Sequence, residues 1–205
     1  MIPPERYESL GELLADAMIQ FKSETALLEL DRKREKVRLS YLEAKRVAER
    51  LAKRLQDAGV GAGDRVAIVM SNQSRWLLSA YAALFRGAVL VPIDFKLTGP
   101  EQEALLKHCR PKVLVTEHPE LRNMREVLAG ELPIELVLVS EAPPKFEAPS
   151  DHFVRWEQAI EAEGEPTFVP RRREDQETTA LRAETAEDFS ALLVGELASP
   201  ESAVA

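Results

Sequence analysis

Two arginines three residues apart are the clearest candidates for binding chemistry in this sequence. Arg122 and Arg125 lie in a stretch whose pattern predicts a helix, so the spacing places both guanidinium groups on one helical face. Two such groups can grip a phosphate through paired hydrogen bonds. The alternative is a solvated helix face, on which Glu120 and Glu126 are local partners of the arginines. A solvated face is the commoner use of this pattern, and the spacing leaves both interpretations open.

The histidines, the single cysteine and one aspartate are weaker candidates. His108 adjoins Cys109, but neighbouring residues on a helix point about 100° apart, so no thiol–imidazole pair is expected. His118 and His152 have no second ligand at a metal-binding spacing. Asp94 follows a predicted strand at the end where α/β proteins form ligand crevices, although we expect it mainly to shape a turn. The sequence therefore predicts no catalytic residue and no metal site.

Composition narrows the classes of function. The chain has 205 residues, 45% of them hydrophobic, which is enough for one sizeable domain with a core. A net charge of −8 argues against nucleic-acid binding, which needs a basic surface. One cysteine excludes an intramolecular disulfide and a cysteine metal cluster. The sequence contains neither a signal-peptide pattern nor the roughly 20 apolar residues of a membrane span, so we expect a cytoplasmic protein.

Residues 59–98 form the unit that must position any site. A glycine-rich turn precedes a non-alternating apolar run at 66–70, which is typical of a strand covered on both faces. Ser71 and Asn72 offer side-chain oxygens to cap the amphipathic helix predicted next. A second apolar run follows and is expected to end at Pro92, because proline cannot continue a central ladder. Strand, helix and strand in about 30 residues predict a βαβ unit and a locally parallel sheet.

Further strands and helices alternate on both sides of this unit. Ser40 and Glu43 have the spacing of a capping box at the start of a long helix. Trp76 and Trp156 are predicted to be core residues. The other predicted helices lie at 7–21, 98–109, 119–129 and 153–160, and the other strands at 26–30, 37–39, 112–116 and 134–139, with the charged turn DRKREK between the first two strands. This alternation predicts an α/β fold with a doubly wound, mostly parallel sheet and helices on both faces.

The predicted domain organisation is a main unit and a tail. Residues 1–170 are predicted to form the α/β unit. Residues 171–205 are acidic and rich in alanine, with one weak helical pattern around 188–197. We expect this tail to lie outside the main core.

Several stretches, in order and at workable spacing, resemble the N-terminal part of adenylate-forming enzymes. That family contains the acyl-CoA synthetases, with luciferases and peptide-synthetase adenylation domains as relatives. The resemblance extends from about residue 7 to about residue 173 and is specific as an ordered set. The matching stretches are LSY at 39–41, GVGAGDRVAI at 59–68, MSN at 70–72 followed by Trp76, LFRGAVLVPID at 84–94, and KVLVT at 112–116 with the acidic residue after it.

The resemblance implies a two-step reaction. A carboxylate attacks the α-phosphate of ATP to give an acyl-adenylate and pyrophosphate, and the thiolate of coenzyme A then displaces AMP. The cofactors implied by the family are ATP, Mg²⁺ and coenzyme A. Some relatives that act on acetyl groups have a similar R-x-x-R that contacts the phosphates of coenzyme A, so the resemblance implies that role for Arg122 and Arg125.

The parts of the family that bind ATP are not evident in this sequence. The family has a Ser/Thr/Gly-rich phosphate loop shortly after the segment that resembles residues 170–174. Here no glycine occurs between Gly164 and Gly195, and four carboxylates lie between Glu174 and Glu184. Backbone amides that wrap a triphosphate need residues free to adopt positive φ, and carboxylates repel phosphate.

We therefore expect a truncated or divergent acyl-CoA synthetase-like protein that is inactive by itself and binds no cofactor alone. The alternative hypothesis is a non-catalytic module that self-associates, pairs with a separate C-terminal ligase fragment, or binds coenzyme A or a nucleotide.

Overall fold

The computed structural model describes residues 6–121, 124, 128, 132–161 and 163–168. Its helices, in chain order, are α1 Leu10–Gln20, α2 Tyr41–Asp57, α3 Ser74–Phe85, α4 Gly99–Cys109, α5 His118–Leu121 and α6 Trp156–Ala159. Its strands are β1 Thr25–Asp31, β2 Arg34–Ser40, β3 Arg65–Val69, β4 Val89–Ile93, β5 Val113–Glu117, β6 Leu136–Ser140 and β7 Phe153–Arg155. None of the described helices is long and apolar enough to cross a membrane. The predicted tail, residues 171–205, lies outside the described residues and stays a prediction.

The main sheet has five strands in the order β4-β3-β5-β6-β7, and every pair is parallel. Alternate residues of each strand face opposite sides, as the pleat requires. In β5, Val113 and Val115 join a core cluster with α1, α2, α3 and α6, whereas Leu114 joins a second cluster with α4 and α5. Helices therefore cover both faces, and the predicted doubly wound α/β fold is confirmed.

Strands β1 and β2 form a separate antiparallel hairpin. Its turn is shorter than the predicted DRKREK loop, because only Arg32 and Lys33 lie between the strands, both with positive φ (44° and 78°). Positive φ at both central positions is the geometry of a two-residue hairpin turn whose twist matches that of the strands. The predicted capping box after the hairpin is present, because Ser40 and Glu43 bond each other's backbone N–H groups.

The predicted cap of α3 is wrong. The N-cap position is Gln73, which makes no side-chain capping bond, and Ser71 bonds elsewhere. The carboxylate of Glu29, on the hairpin, instead accepts hydrogen bonds from the Ser74 backbone N–H (2.9 Å) and the Ser74 hydroxyl (2.7 Å). A carboxylate at this end of a helix also interacts favourably with the helix dipole.

The sequence also misplaces two strand boundaries. Pro92 does not end β4 but lies within it, paired with Ile68. Proline is tolerated there because β4 is the outermost strand in the described sheet. Residues 153–160 do not form one helix, because 153–155 pair with β6 as strand β7 before the four-residue α6 begins. Of the predicted helix at 119–129, the structure describes the start, in α5, and residues 124 and 128, where the Leu128 N–H donates to the Met124 carbonyl at 2.9 Å.

Both tryptophans are core residues, as predicted. Trp156 is buried, and its indole N–H donates to the Ser79 hydroxyl at 2.9 Å. Trp76 is half-buried and packs against the same core cluster. The hydrogen bond of the Trp156 indole thus attaches α6 to α3.

Helix α1 crosses α3 at unusually short range. A Cβ added at Gly11 would overlap the carbonyl oxygen of Leu84 and lie 3.2 Å from the Cα of Phe85. Both of these are backbone atoms, so they cannot be relieved by a side-chain rotation. Glycine at this position therefore sets the distance between the two helices.

We expect Gly11→Ala to lower the free energy of unfolding by about 1–3 kcal/mol, the usual cost of overpacking a close contact. Gly61→Ala is the matched control, because its added Cβ would meet only the Asp64 carboxylate at 4.0 Å. The control should be neutral or stabilising by about 0.4–1 kcal/mol, through loss of unfolded-state entropy. Urea denaturation measures both, and equal effects at the two sites would contradict the close approach.

Candidate functional site at the carboxyl edge of the sheet

The order of the strands places a topological switch point between β3 and β5. The chain passes from β3 to β4 on one side and then returns to β5 on the other side of β3. In open α/β sheets, ligands bind outside the carboxyl ends of the strands at such a point. In this protein the switch point is formed by residues 70–73 after β3 and by Glu117 at the end of β5.

A buried carboxylate closes this switch point. Glu117 is 6% exposed. It accepts hydrogen bonds from the Ser71 backbone N–H (3.1 Å), the Ser71 hydroxyl (3.0 Å) and the Gln73 side-chain amide (2.8 Å). These three donors compensate for the loss of water around the charge. The place where a ligand phosphate would bind in a related topology therefore already contains an anion of the protein itself.

Two more oxygen atoms near this edge are buried and unpaired. Ser140 is the register partner of Glu117 and is fully buried. Within the described residues, its hydroxyl and the side-chain oxygen of Gln73 have no hydrogen-bond partner. These atoms add hydrogen-bonding capacity to the edge without adding positive charge.

A chain of ion pairs continues along the same edge. Lys36 on the hairpin contacts Glu29 at 2.8 Å and Glu141, which follows β6, at 3.2 Å. Arg75 lies 3.7 Å from Glu141 and 3.1 Å from Glu157. Arg155, the last residue of β7, also lies 4.0 Å from Glu157, so these ion pairs contain three carboxylates and three cations, and Glu117 is a further carboxylate. Each cation of these pairs is therefore engaged by a carboxylate, and none of them is offered to a ligand by itself.

The described loops at this edge do not form a phosphate cradle. The segments at 70–73, 118–121 and 141–152 contain no glycine. An amide cradle around phosphates needs backbone conformations that glycine adopts without strain. The described residues at the switch point therefore do not fit the triphosphate of ATP.

Most of the weaker sequence candidates take structural roles. Asp94 shapes the turn after β4, as predicted, by accepting a hydrogen bond from the Lys96 backbone N–H at 2.9 Å. The ring of His118 meets the ring of Phe146 edge-on, with 5.6 Å between centroids. The described residues contain no group of three or more His, Cys, Asp or Glu arranged to hold a metal ion.

Cys109 does not have the environment of a nucleophile. Burial raises the pKa of its thiol to about 11, so the thiol keeps its proton at neutral pH. Its sulfur lies 3.8 Å from the carbonyl oxygen of Leu106, one helical turn earlier. A protonated, half-buried thiol of this kind is chemically inert compared with a thiolate.

A cavity of about 520 Å³ lies between α5 and the loop before β7, lined in part by Leu121, Phe146 and Phe153. The predicted phosphate-binding pair, Arg122 and Arg125, follows α5 but lies outside the described residues. Its role therefore stays a prediction.

Sequence reasoning did not identify Glu117 and Glu29 as the groups that organise this edge. Glu117 carried a signal, since it is an acidic residue directly after an apolar strand. Glu29 carried a weaker signal, because it interrupts the apolar run ALLEL at 26–30. In both cases the partners are more than forty residues away in the chain, at separations of 46 and 45.

Comparison with known proteins identifies the family. The model of the AMP-binding enzyme family matches residues 14–186, which is more than half of the chain. The long-chain-fatty-acid–CoA ligase of Thermus thermophilus is 34% identical over 137 residues, covering 66% of this chain and 24% of the relative. The indoleacetate–CoA ligase of Aromatoleum aromaticum is 32% identical over 136 residues, covering 65% and 24%. The chain thus spans about a quarter of the length of these curated relatives.

Solved structures agree on the fold. The coronafacic acid ligase of Pectobacterium brasiliense superposes with a TM-score of 0.68 at 21% identity, covering 78% of this chain and 31% of that chain. The anthranilate CoA ligase AuaEII, solved with anthranoyl-AMP, gives a TM-score of 0.68 at 22% identity, covering 82% and 31%. The fold is therefore that of adenylate-forming ligases, and by the match to the family model the chain belongs to the AMP-binding enzyme family.

Proposed function

We propose that this chain supplies the N-terminal α/β scaffold of an acid–CoA ligase and does not activate a carboxylic acid by itself. In the family, ATP-dependent activation of a carboxylic acid, such as a fatty acid, gives an acyl-adenylate and then an acyl-CoA. Family membership and the ligase names of the relatives support the reaction class. The share of those relatives that the chain spans, about a quarter, supports the proposal that other parts of the machinery are needed.

One observation supports the absence of activity more than any other. The buried carboxylate of Glu117 lies at the switch point, and every cation of the ion pairs beside it contacts a carboxylate. A phosphate about 4 Å from a carboxylate is repelled by about 1 kcal/mol in water and about 4 kcal/mol near a protein surface. This arrangement opposes a triphosphate at the switch point, so the donors and cations that adenylation needs must come from residues outside this edge.

A second candidate function is a non-catalytic module that pairs with a separate C-terminal ligase fragment. The observation that favours it is the outer face of the hairpin, where Leu28 and Leu30 are 49% and 59% exposed. The nearby charges on this face, Glu35 and Arg38, pair with each other at 2.7 Å. An apolar pair of this kind, on an ordered strand, is suited to contact with another protein surface.

One test of the proposal is ATP–pyrophosphate exchange with Mg²⁺ and a panel of fatty and aryl acids. We expect the purified chain to show no exchange above a heat-killed control, because its described loops form no phosphate cradle and it spans about a quarter of the ligases that it matches. The Thermus thermophilus ligase, assayed in parallel, controls for the substrates. Exchange by the chain alone, retained through purification, would overturn the proposal.

Another test concerns pairing. We expect the chain to co-elute in size-exclusion chromatography with a fragment of the Thermus ligase that lacks the matching N-terminal part, and the mixture to regain exchange. The double substitution Leu28→Lys and Leu30→Lys should abolish both effects, whereas Lys107→Ala, an exposed residue on α4, should leave them unchanged. A folded chain that stays monomeric and captures no fragment would remove the pairing function.

A further inference from the structure

The β1–β2 hairpin is attached to the rest of the protein with little burial. Every residue of both strands is exposed or half-buried. Ala26, Leu27 and Leu39, near the base of the hairpin, make its half-buried apolar contacts with the core. Elements with few buried contacts open at a lower free-energy cost than core strands.

The base of the hairpin is fixed by the backbone. The Glu24 N–H donates to the Phe21 carbonyl at 2.7 Å, the Tyr41 N–H donates to the Glu24 carbonyl at 3.0 Å, and the Leu42 N–H donates to the Lys22 carbonyl at 3.1 Å. These bonds join the ends of α1 and β1 to the start of α2. They form a fixed end about which the rest of the hairpin can move.

Nearer the tip, the hairpin is held by charged side chains. Glu29 accepts the two hydrogen bonds from Ser74 at the start of α3, and its other oxygen lies 2.8 Å from Lys36. Burial alone would raise the pKa of Glu29, but the hydrogen bonds from Lys36 and Ser74 outweigh it and lower the pKa to about 2. The interactions of Glu29 therefore favour its charged form strongly.

Lys36 extends this contact to the main sheet. Besides Glu29 it contacts Glu141, which directly follows β6 and has a positive φ of 55°. Arg75 of α3 approaches the same carboxylate at 3.7 Å. Glu141 thus joins the hairpin to both a strand end and a helix start.

We propose that the β1–β2 hairpin is an ionic latch over the carboxyl edge of the sheet. It is held closed by the contact of Glu29 with the first turn of α3 and by the contact of Lys36 with Glu141. Opening about its base frees the Ser74 N–H and hydroxyl at the start of α3. Opening also separates Lys36 from Glu141, while the contact between Glu141 and Arg75 remains. Because the ion pairs of Lys36 in the latch lie near the surface, salt weakens them, while the apolar core of the main sheet is much less affected.

The test is amide hydrogen exchange of the full chain and of Glu29→Gln. We expect hairpin amides and the Ser74 amide to exchange about fivefold faster in the variant, the loss typical of a helix cap. Amides of β3 and β5 should keep the wild-type rate. The matched control is Glu35→Gln, which removes a carboxylate on the same hairpin that bonds only Arg38 of its own strand in the described structure.

Salt and a second variant provide independent readings. Raising NaCl from about 0.05 to about 1 M shortens the screening length to about 3 Å, so wild-type hairpin exchange should approach that of Glu29→Gln. Lys36→Gln should resemble Glu29→Gln and lose the salt effect. The proposal is wrong if hairpin and β3 amides accelerate together, or if Glu29→Gln leaves hairpin exchange unchanged.

Acid pH tests the same carboxylate. In the described structure, the charged groups facing Glu29 are Lys36 and, beyond it, Glu141 and Arg75. A lowered folded-state pKa stabilises the fold above the unfolded value near 4.5, and this contribution is lost as pH falls toward 2. The stability difference between wild type and Glu29→Gln should therefore be full above about pH 4.5 and shrink below it. A difference that stays constant over this range would exclude Glu29 as the latch.

Discussion

A carboxylate removed from water must be surrounded by hydrogen-bond donors, and this requirement organises the edge of the sheet. Glu117 meets it with donors from Ser71 and Gln73, which belong to the segment that leaves the neighbouring strand. The carboxylate thereby fixes the exit of β3 and the direction in which α3 begins. Leaving a buried polar group without its hydrogen-bond partners costs about 1–3 kcal/mol, and more when the group is charged. The start of α3 and the placement of a carboxylate at the switch point are thus consequences of the same set of bonds.

Much of the architecture was predictable because it is encoded locally. Non-alternating apolar runs predicted β3, β5 and β6, and the spacing of Ser40 and Glu43 predicted the start of α2. The failures were features that depend on distant partners. Pro92 is compatible with a strand only if that strand lies at an edge, and the strand order is not evident from the local sequence. Likewise, residues 153–155 form a strand because β6 is beside them, although their own pattern is too short to decide.

The candidate site was less predictable than the fold, for the same physical reason. The groups at the switch point interact across more than forty residues of sequence, so no spacing rule could have paired Glu29 with Ser74 or Glu117 with Ser71. The resemblance to adenylate-forming enzymes gave the family correctly. It also implied a phosphate-binding role for Arg122 and Arg125, which lie outside the described residues. The carboxylate at the switch point and the ion pairs beside it emerged only from the three-dimensional arrangement.

The two outer strands of the described sheet are poorly suited to pairing with a strand of another molecule. One outer strand, β4, contains a proline, and the other, β7, has only three residues. Both features are ways in which proteins prevent backbone pairing with a neighbouring molecule. Edge-to-edge addition of one such sheet to another, a step toward fibrils, is therefore disfavoured at both outer strands. Contact between the described sheet and another protein is therefore expected through side chains rather than through a strand edge.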